Sequence, residues 1–145
     1  MQRGHFNHLQ ENVRYIINEI SDNIRSQTDR NHALTPTDMV LLTLRFLACG
    51  SFLQINGDIM GVDKATANRA IDNVTRVQAG LAPHFIKMPS DIHELNVIER
   101  CFGIWKRHFY ILALGISLSV QMVEAIVVAT AVLHNIALAM MTSQI

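Results

Sequence analysis

The last long segment of this chain is almost entirely apolar, and this constrains the fold more than any other feature. The segment runs from Val120 to Met141, and its main polar interruptions are Glu124, Thr130, His134 and Asn135. A run of this length could span a bilayer. However, an ionised Glu within a span costs roughly 2 to 3 kcal/mol on insertion scales. We therefore expect a helix buried in a protein core, with a transmembrane helix as the weaker alternative.

Composition and charge narrow the class of protein. Half of the 145 residues are hydrophobic and 17% are charged, so the chain can form a core and wholesale disorder is not expected. The net charge is zero, but residues 64–107 carry seven Lys or Arg against four Asp or Glu. A basic excess beside an apolar tail favours a nucleic-acid or protein partner over a free-standing soluble enzyme.

Cysteine and histidine spacing indicates neither a disulfide framework nor a zinc site. Cys49 and Cys101 are too few for a disulfide framework, so we expect two reduced thiols. His84, His93 and Cys101 lack the short-range pairing that zinc sites show. The first residues, MQRGHFNHLQENVR, contain no apolar signal core, so we expect no secretion and a nuclear or cytoplasmic location.

Hydrophobic periodicity predicts a mostly α fold built as a small helical bundle. An amphipathic helix is expected from about Phe6 to Ser26. Thr35 as N-cap and Pro36 at the first helical position open a second helix, which Gly50 ends. This second helix is nearly all-round hydrophobic, so it should lie at the centre of the core. Residues 81–96 are expected to form a loop, 109–114 are the sole strand candidate, and further helices should lie around Glu99 and over residues 119–141.

The middle of the chain has the spacing of a helix-turn-helix. Gly57 is the small residue where the two helices would cross, and Gly61 lies in the turn. Asp63 would cap a helix that begins at Lys64. The inward face of that helix would consist of Ala67, Ala70, Ile71, Val74 and Val77, and its outward face of Lys64, Ala65, Asn68, Arg69, Asp72 and Arg76.

The outward face is suited to a DNA groove. Arg and Lys bind phosphates or guanine, and Asn binds adenine. The candidate DNA-binding residues are Lys64, Ala65, Asn68, Arg69 and Arg76. Asp72 would repel phosphate, so binding by this helix alone should be weak. The alternative is an ordinary helical hairpin with a glycine turn.

Two blocks of the sequence resemble the PIF/Harbinger transposase group, and in particular the Harbinger transposase-derived nucleases. The block from Leu34 to Leu95 (LTPTDMVLL…SDIHEL) resembles the helical region that precedes the nuclease domain. The block from Asn96 to Leu138 contains the stretches IERCFG and VLHNI and resembles the end of the nuclease domain. Together the two blocks span residues 34–138.

The resemblance implies an RNase H-like nuclease domain that holds Mg²⁺ or Mn²⁺ with two Asp and one Glu. Glu99 in IERCFG corresponds to the Glu, and is the one candidate catalytic and metal-binding residue. The two Asp would lie between the blocks, where this chain passes directly from Leu95 to Asn96. Asp91 and Glu94 do not match the family's Asp motifs. Two-metal hydrolysis needs several carboxylates on a rigid scaffold, so we expect neither a bound metal nor catalysis by this chain alone.

These observations lead to a specific hypothesis. Residues 1–95 would form the helical region with the helix-turn-helix, and residues 96–145 a remnant of the nuclease domain with its last helices. The chain would be a truncated, inactive relative that binds DNA or protein, with a Myb-like DNA-binding protein as the partner that the resemblance implies. The alternative is an active metal-dependent nuclease whose gene model is incomplete. Because residues 120–141 would lack the family's sheet to pack against, we also expect self-association through them.

Overall fold

A computed structural model describes residues 2–24, 34–50, 61–88, 90–92, 102–113 and 118–142. It consists of helices and connecting turns, so the mostly α prediction is confirmed. The α-helices are α1 (Gln2–Ile24), α2 (Pro36–Cys49), α3 (Lys64–Gly80), α4 (Ala82–Phe85) and α5 (Val120–Thr142). A short 3₁₀ helix spans Tyr110–Leu112, and residues 102–108 are also helical.

The ends of α2 follow directly from its sequence. The Thr35 hydroxyl accepts a hydrogen bond from the Asp38 amide at 3.1 Å, and the Asp38 carboxylate accepts one from the Thr35 amide at 3.4 Å. This reciprocal pair satisfies two amides that a helix start leaves without partners. At the other end Gly50 takes a left-handed conformation with φ 59°, which glycine adopts without steric cost. Both predicted ends of this helix are confirmed.

The core is centred on α3. The sequence-based expectation that α2 lies at its centre is therefore wrong. Helix α3 contacts α1, α2, α4 and α5, and its most extensive contact is with α5. Its inward face is correctly predicted, because Ala67, Ala70, Ile71 and Val74 are buried and Val77 is partly buried. On α2, in contrast, Leu41 is 44% exposed, so the all-round hydrophobic pattern does not mean all-round burial.

Helix α5 packs against α3, α4 and α1. Its buried apolar residues are Met122, Ile126, Ala129, Val132, Leu133 and Ile136. Among the described helices, α5 has the length and apolar composition that could cross a membrane. However, five of its buried side chains belong to the same hydrophobic cluster as Ile20, Leu47 and Ile71, which places one face of α5 in a protein core.

Side chains from both halves of the chain share that core. Ile16, Val40 and Val74 lie before residue 95, and Ile126 and Ile136 lie after it, yet all belong to one cluster of buried residues. The proposed boundary between residues 95 and 96 concerns the origin of the two segments, and it stays a prediction.

Two local expectations are wrong. The strand candidate at 109–114 contains a 3₁₀ turn, in which the amides of Leu112 and Ala113 donate to the carbonyls of Phe109 and Tyr110. A run this short satisfies its backbone groups within one turn and buries only Ile111. Residues 82–85 of the expected loop 81–96 instead form one helical turn, α4, in which Pro83 is the second residue.

The two adjacent polar residues of α5, His134 and Asn135, differ in their hydrogen bonding. The side-chain amide of Asn135 donates a hydrogen bond to the Phe85 carbonyl at 2.8 Å. His134 is only 7% exposed, and its Nε2 has no hydrogen-bond partner among the residues that the structure describes. Burial and the neighbouring His108, whose ring centroid lies 5.8 Å away, lower the pKa of His134.

Candidate nucleic-acid interface

The start of α3 is fixed by a glycine turn and an aspartate cap. Gly61 has φ 69°, a left-handed conformation that L side chains adopt only with strain. Two residues later, Asp63 accepts hydrogen bonds from the Thr66 amide at 2.9 Å and the Thr66 hydroxyl at 2.8 Å. These bonds, the amide first, lower the pKa of Asp63. The predicted cap is therefore confirmed. The first helix of the proposed helix-turn-helix, with Gly57, lies outside the described residues.

The candidate DNA-binding side chains share the solvent face of α3. Lys64, Ala65, Asn68, Arg69 and Arg76 are all exposed, as their spacing predicts. Asp63 caps the start of α3, and Lys64, Asn68 and Arg69 are exposed in its first two turns. The dipole of a helix favours anions at its start, and Lys64 and Arg69 add positive charge there, which the carboxylate of Asp63 partly offsets.

Not every cation on this face is free to bind a phosphate. The Arg76 Nε donates to both oxygens of the Asp72 carboxylate at 2.9 and 3.0 Å. This ion pair raises the pKa of Arg76. It also neutralises the carboxylate charge of Asp72. Within the described part of the chain, the Nε of Arg69 donates to the Ala65 carbonyl at 3.3 Å, and the charge of Arg69 contributes to the lowered pKa of Asp63. Lys64 and Arg69 therefore provide the accessible positive charge, while Arg76 contributes less than the sequence suggested.

A surface groove runs along this face. It has a volume of about 340 Å³ and lies between the end of α2, the outer face of α3 and the start of α5. Its apolar lining comes from Phe46, Leu118 and Met122, and its polar lining from Asn68, Arg69, Asp72 and Ser119. This groove could not be predicted from the sequence, because it combines three elements that are distant in the chain.

The predicted catalytic residue cannot be placed. Glu99, the candidate catalytic and metal-binding residue, lies outside the described residues, as do Glu94, His93 and Cys101. Asp91 is exposed and His84 is exposed on α4. Within the described part of the chain, no three His, Cys, Asp or Glu side chains come together as a metal site would require.

Comparison with known proteins gives a consistent result. The chain is 31% identical over 87 residues to a human protein named "Putative nuclease HARBI1", and the match covers 60% of this chain and 25% of the relative. The protein of the same name from Xenopus laevis is 30% identical over 101 residues, covering 70% of this chain and 27% of the relative. The one from Bos taurus is 29% identical over 87 residues, covering 60% and 25%.

The matched region is a small part of each relative. The chain spans about a quarter of the length of the curated relatives that it matches. No protein-family model matches it, and no solved structure matches it. The relatives agree with the resemblance of the two sequence blocks, and over 60 to 70% of its length the chain is similar to the Harbinger transposase-derived nucleases.

Proposed function

We propose that this chain is a non-catalytic family member that contacts DNA through the outer face of α3. The observation that carries the proposal is the exposed group of Lys64, Asn68 and Arg69 at a capped helix start. Base edges in the major groove are read by such side chains on a recognition helix. Only two cations on this face lack a carboxylate partner on α3, so binding is weak and sensitive to salt.

A gel-shift series on duplex DNA tests this face. Lys64→Ala, Asn68→Ala and Arg69→Ala should each weaken binding without lowering helix content, which circular dichroism measures. Loss of a bidentate base contact should cost about 1 to 3 kcal/mol and relax specificity. Loss of a phosphate contact should instead reduce the slope of log affinity against log salt by about 1.

The control for this series is Arg14→Ala. Arg14 is an exposed cation on α1, so this variant removes the same charge from a different helix. If the three α3 variants bind DNA as tightly as the unchanged protein, or if Arg14→Ala weakens binding equally, then α3 does not enter a groove. The exposed face of α3 would then contact a protein partner, and the resemblance implies a Myb-like DNA-binding protein. We propose a nuclear or cytoplasmic location for this chain in either case.

The second candidate function is a metal-dependent nuclease. It is favoured by the relatives' name and by Glu99 in the stretch IERCFG. The two Asp that the resemblance requires have no counterpart between Leu95 and Asn96, and one carboxylate cannot hold two ions roughly 4 Å apart. Supercoiled plasmid incubated with Mg²⁺ or Mn²⁺ should therefore stay intact. Metal-dependent nicking that disappears in Glu99→Gln would reverse this part of the proposal.

A further inference from the structure

The groove beside α3 has two chemically different sides. Its floor is formed by Phe46 and Met122, which are 5% and 9% exposed, and Leu118 at its edge is 38% exposed. The opposite edge is polar and belongs to α3. Apolar pockets with a few converging polar groups are the usual form of binding sites. An occupant that covered Leu118 would remove apolar surface from water, which is favourable.

The cap and the exposed face of α3 carry a net positive charge, because Lys64, Arg69 and Arg76 outnumber Asp63 and Asp72. The carboxylate of Asp72 pairs with Arg76, while that of Asp63 accepts hydrogen bonds from Thr66 and keeps its negative charge. Arg69 uses one of its five N–H donors on a carbonyl. Arg69 lines the groove, and the two terminal nitrogens of a guanidinium suit the bidentate geometry of a carboxylate.

We propose that this groove binds a short segment of a partner protein that carries an apolar side chain beside a carboxylate. The apolar side chain lies against Leu118 and Met122, and the carboxylate pairs with Arg69. A DNA backbone satisfies the arginine but has no apolar side chain to cover the floor, so the lining favours a peptide. Because Asn68 and Arg69 also belong to the proposed DNA-contacting face, the peptide and DNA compete for α3.

The test uses short capped peptides as probes, followed by amide shifts in ¹⁵N NMR spectra. The probe is acetyl-Ala-Asp-Leu-Leu-Ala-amide. One comparison peptide replaces its Asp with Lys, and another replaces both Leu with Ser. The Asp-Leu-Leu peptide should shift the amides of residues that line the groove. The Lys peptide should bind about two- to fivefold more weakly, as expected for an exposed ion pair, and the Ser peptide should not bind measurably.

Two variants and two matched controls complete the test. Arg69→Gln should abolish the preference for Asp over Lys, and Leu118→Ser should weaken binding on the order of fivefold. Arg14→Gln and Leu138→Ser should change neither quantity, because Arg14 is on α1 and Leu138, 41% exposed, is at the far end of α5. Both changes in the groove are at exposed residues, so folding is preserved and can be checked in the same spectra.

Three results would overturn the inference: no saturable shift in the groove, equal binding of the Asp and Lys peptides, or equal loss in the control variants. If duplex DNA shifts the groove amides while no peptide does, the groove is part of the DNA face alone. The peptide titrations contain no DNA and the gel-shift series contains no peptide, so either proposal can fail without the other.

Discussion

The packing of α5 against α3 predicts that substitutions at two neighbouring residues of α5 have very different effects on stability. Ile126 is fully buried, whereas the next residue, Val127, is 37% exposed. Replacing a buried Ile with Ala costs about 2 to 5 kcal/mol, because transfer free energy is lost and a cavity remains. A substitution at a solvent-facing position usually changes stability by less than about 0.5 kcal/mol. We therefore expect Ile126→Ala to be strongly destabilising and Val127→Ala to be nearly neutral.

Urea unfolding followed by circular dichroism at 222 nm measures this difference. With an m value of about 1.5 kcal/mol per molar urea, a loss of about 3 kcal/mol lowers the midpoint by roughly 2 M. Such a loss is a large part of the 5 to 15 kcal/mol typical of a domain. If Ile126→Ala leaves too little folded protein, Ile126→Val provides a milder change of about 0.5 to 1.5 kcal/mol.

The opposite pattern would refute the burial of α5 against α3. A membrane-spanning helix, or one buried mainly between copies of the chain, would not distinguish these neighbours in a dilute monomer. Equal midpoints for Ile126→Ala and Val127→Ala would show that α5 is not held in the core through Ile126. A larger effect of Val127→Ala would place the other face of the helix inside.

Three further predictions concern other parts of the structure. Burial lowers the pKa of His134, so the unfolded chain binds more protons over the range below its ordinary pKa near 6.5, and stability falls as the pH decreases through that range. Urea midpoints at pH 7.5 and 5.5 should show this fall, and His134→Leu should reduce it; an unchanged pH dependence would contradict the assignment. Thr35→Ala removes the cap of α2 and should lower the free energy of unfolding by about 1 kcal/mol. Thr37→Ala, at the second residue of the helix, should lower it by less in the same urea assay. We expect self-association through the exposed side chains of residues 120–141, of which Val120 and Met141 are 73% and 69% exposed. Replacing both with Lys should reduce the mass that light scattering measures at micromolar concentration, and a full-length monomer would contradict the prediction.

The structure leaves less apolar surface for self-association than the sequence indicates. From the sequence, residues 120–141 have no partner within the chain. In the structure Ile126, Val132 and Ile136 are fully or almost fully buried, and α3 provides most of the contact. The apolar surface that remains is confined to the outer side and the ends of α5.

The candidate interface could be predicted in part. The spacing of Asp63, Lys64 and Asn68 was sufficient to assign the cap, the first helical residue and the exposed face, because each depends on residues within one or two helical turns. The pairing of Arg76 with Asp72 was also within reach of the sequence, since residues four apart on a helix are neighbours. The groove was not, because its lining combines Phe46, Asn68 and Leu118 from three separate elements.

The sequence by itself determined the local structure: the ends of α2 at Thr35 and Gly50, the start of α3 at Asp63, and the inward face of α3. Caps, turn glycines and helical periodicity act over a few residues, so they can be recognised without a fold. Only the tertiary structure decided that α3 is central and that it covers α5. It also decided that Asn135 bonds to Phe85, fifty residues away, because apolar patterning states that a face is buried but not which partner buries it.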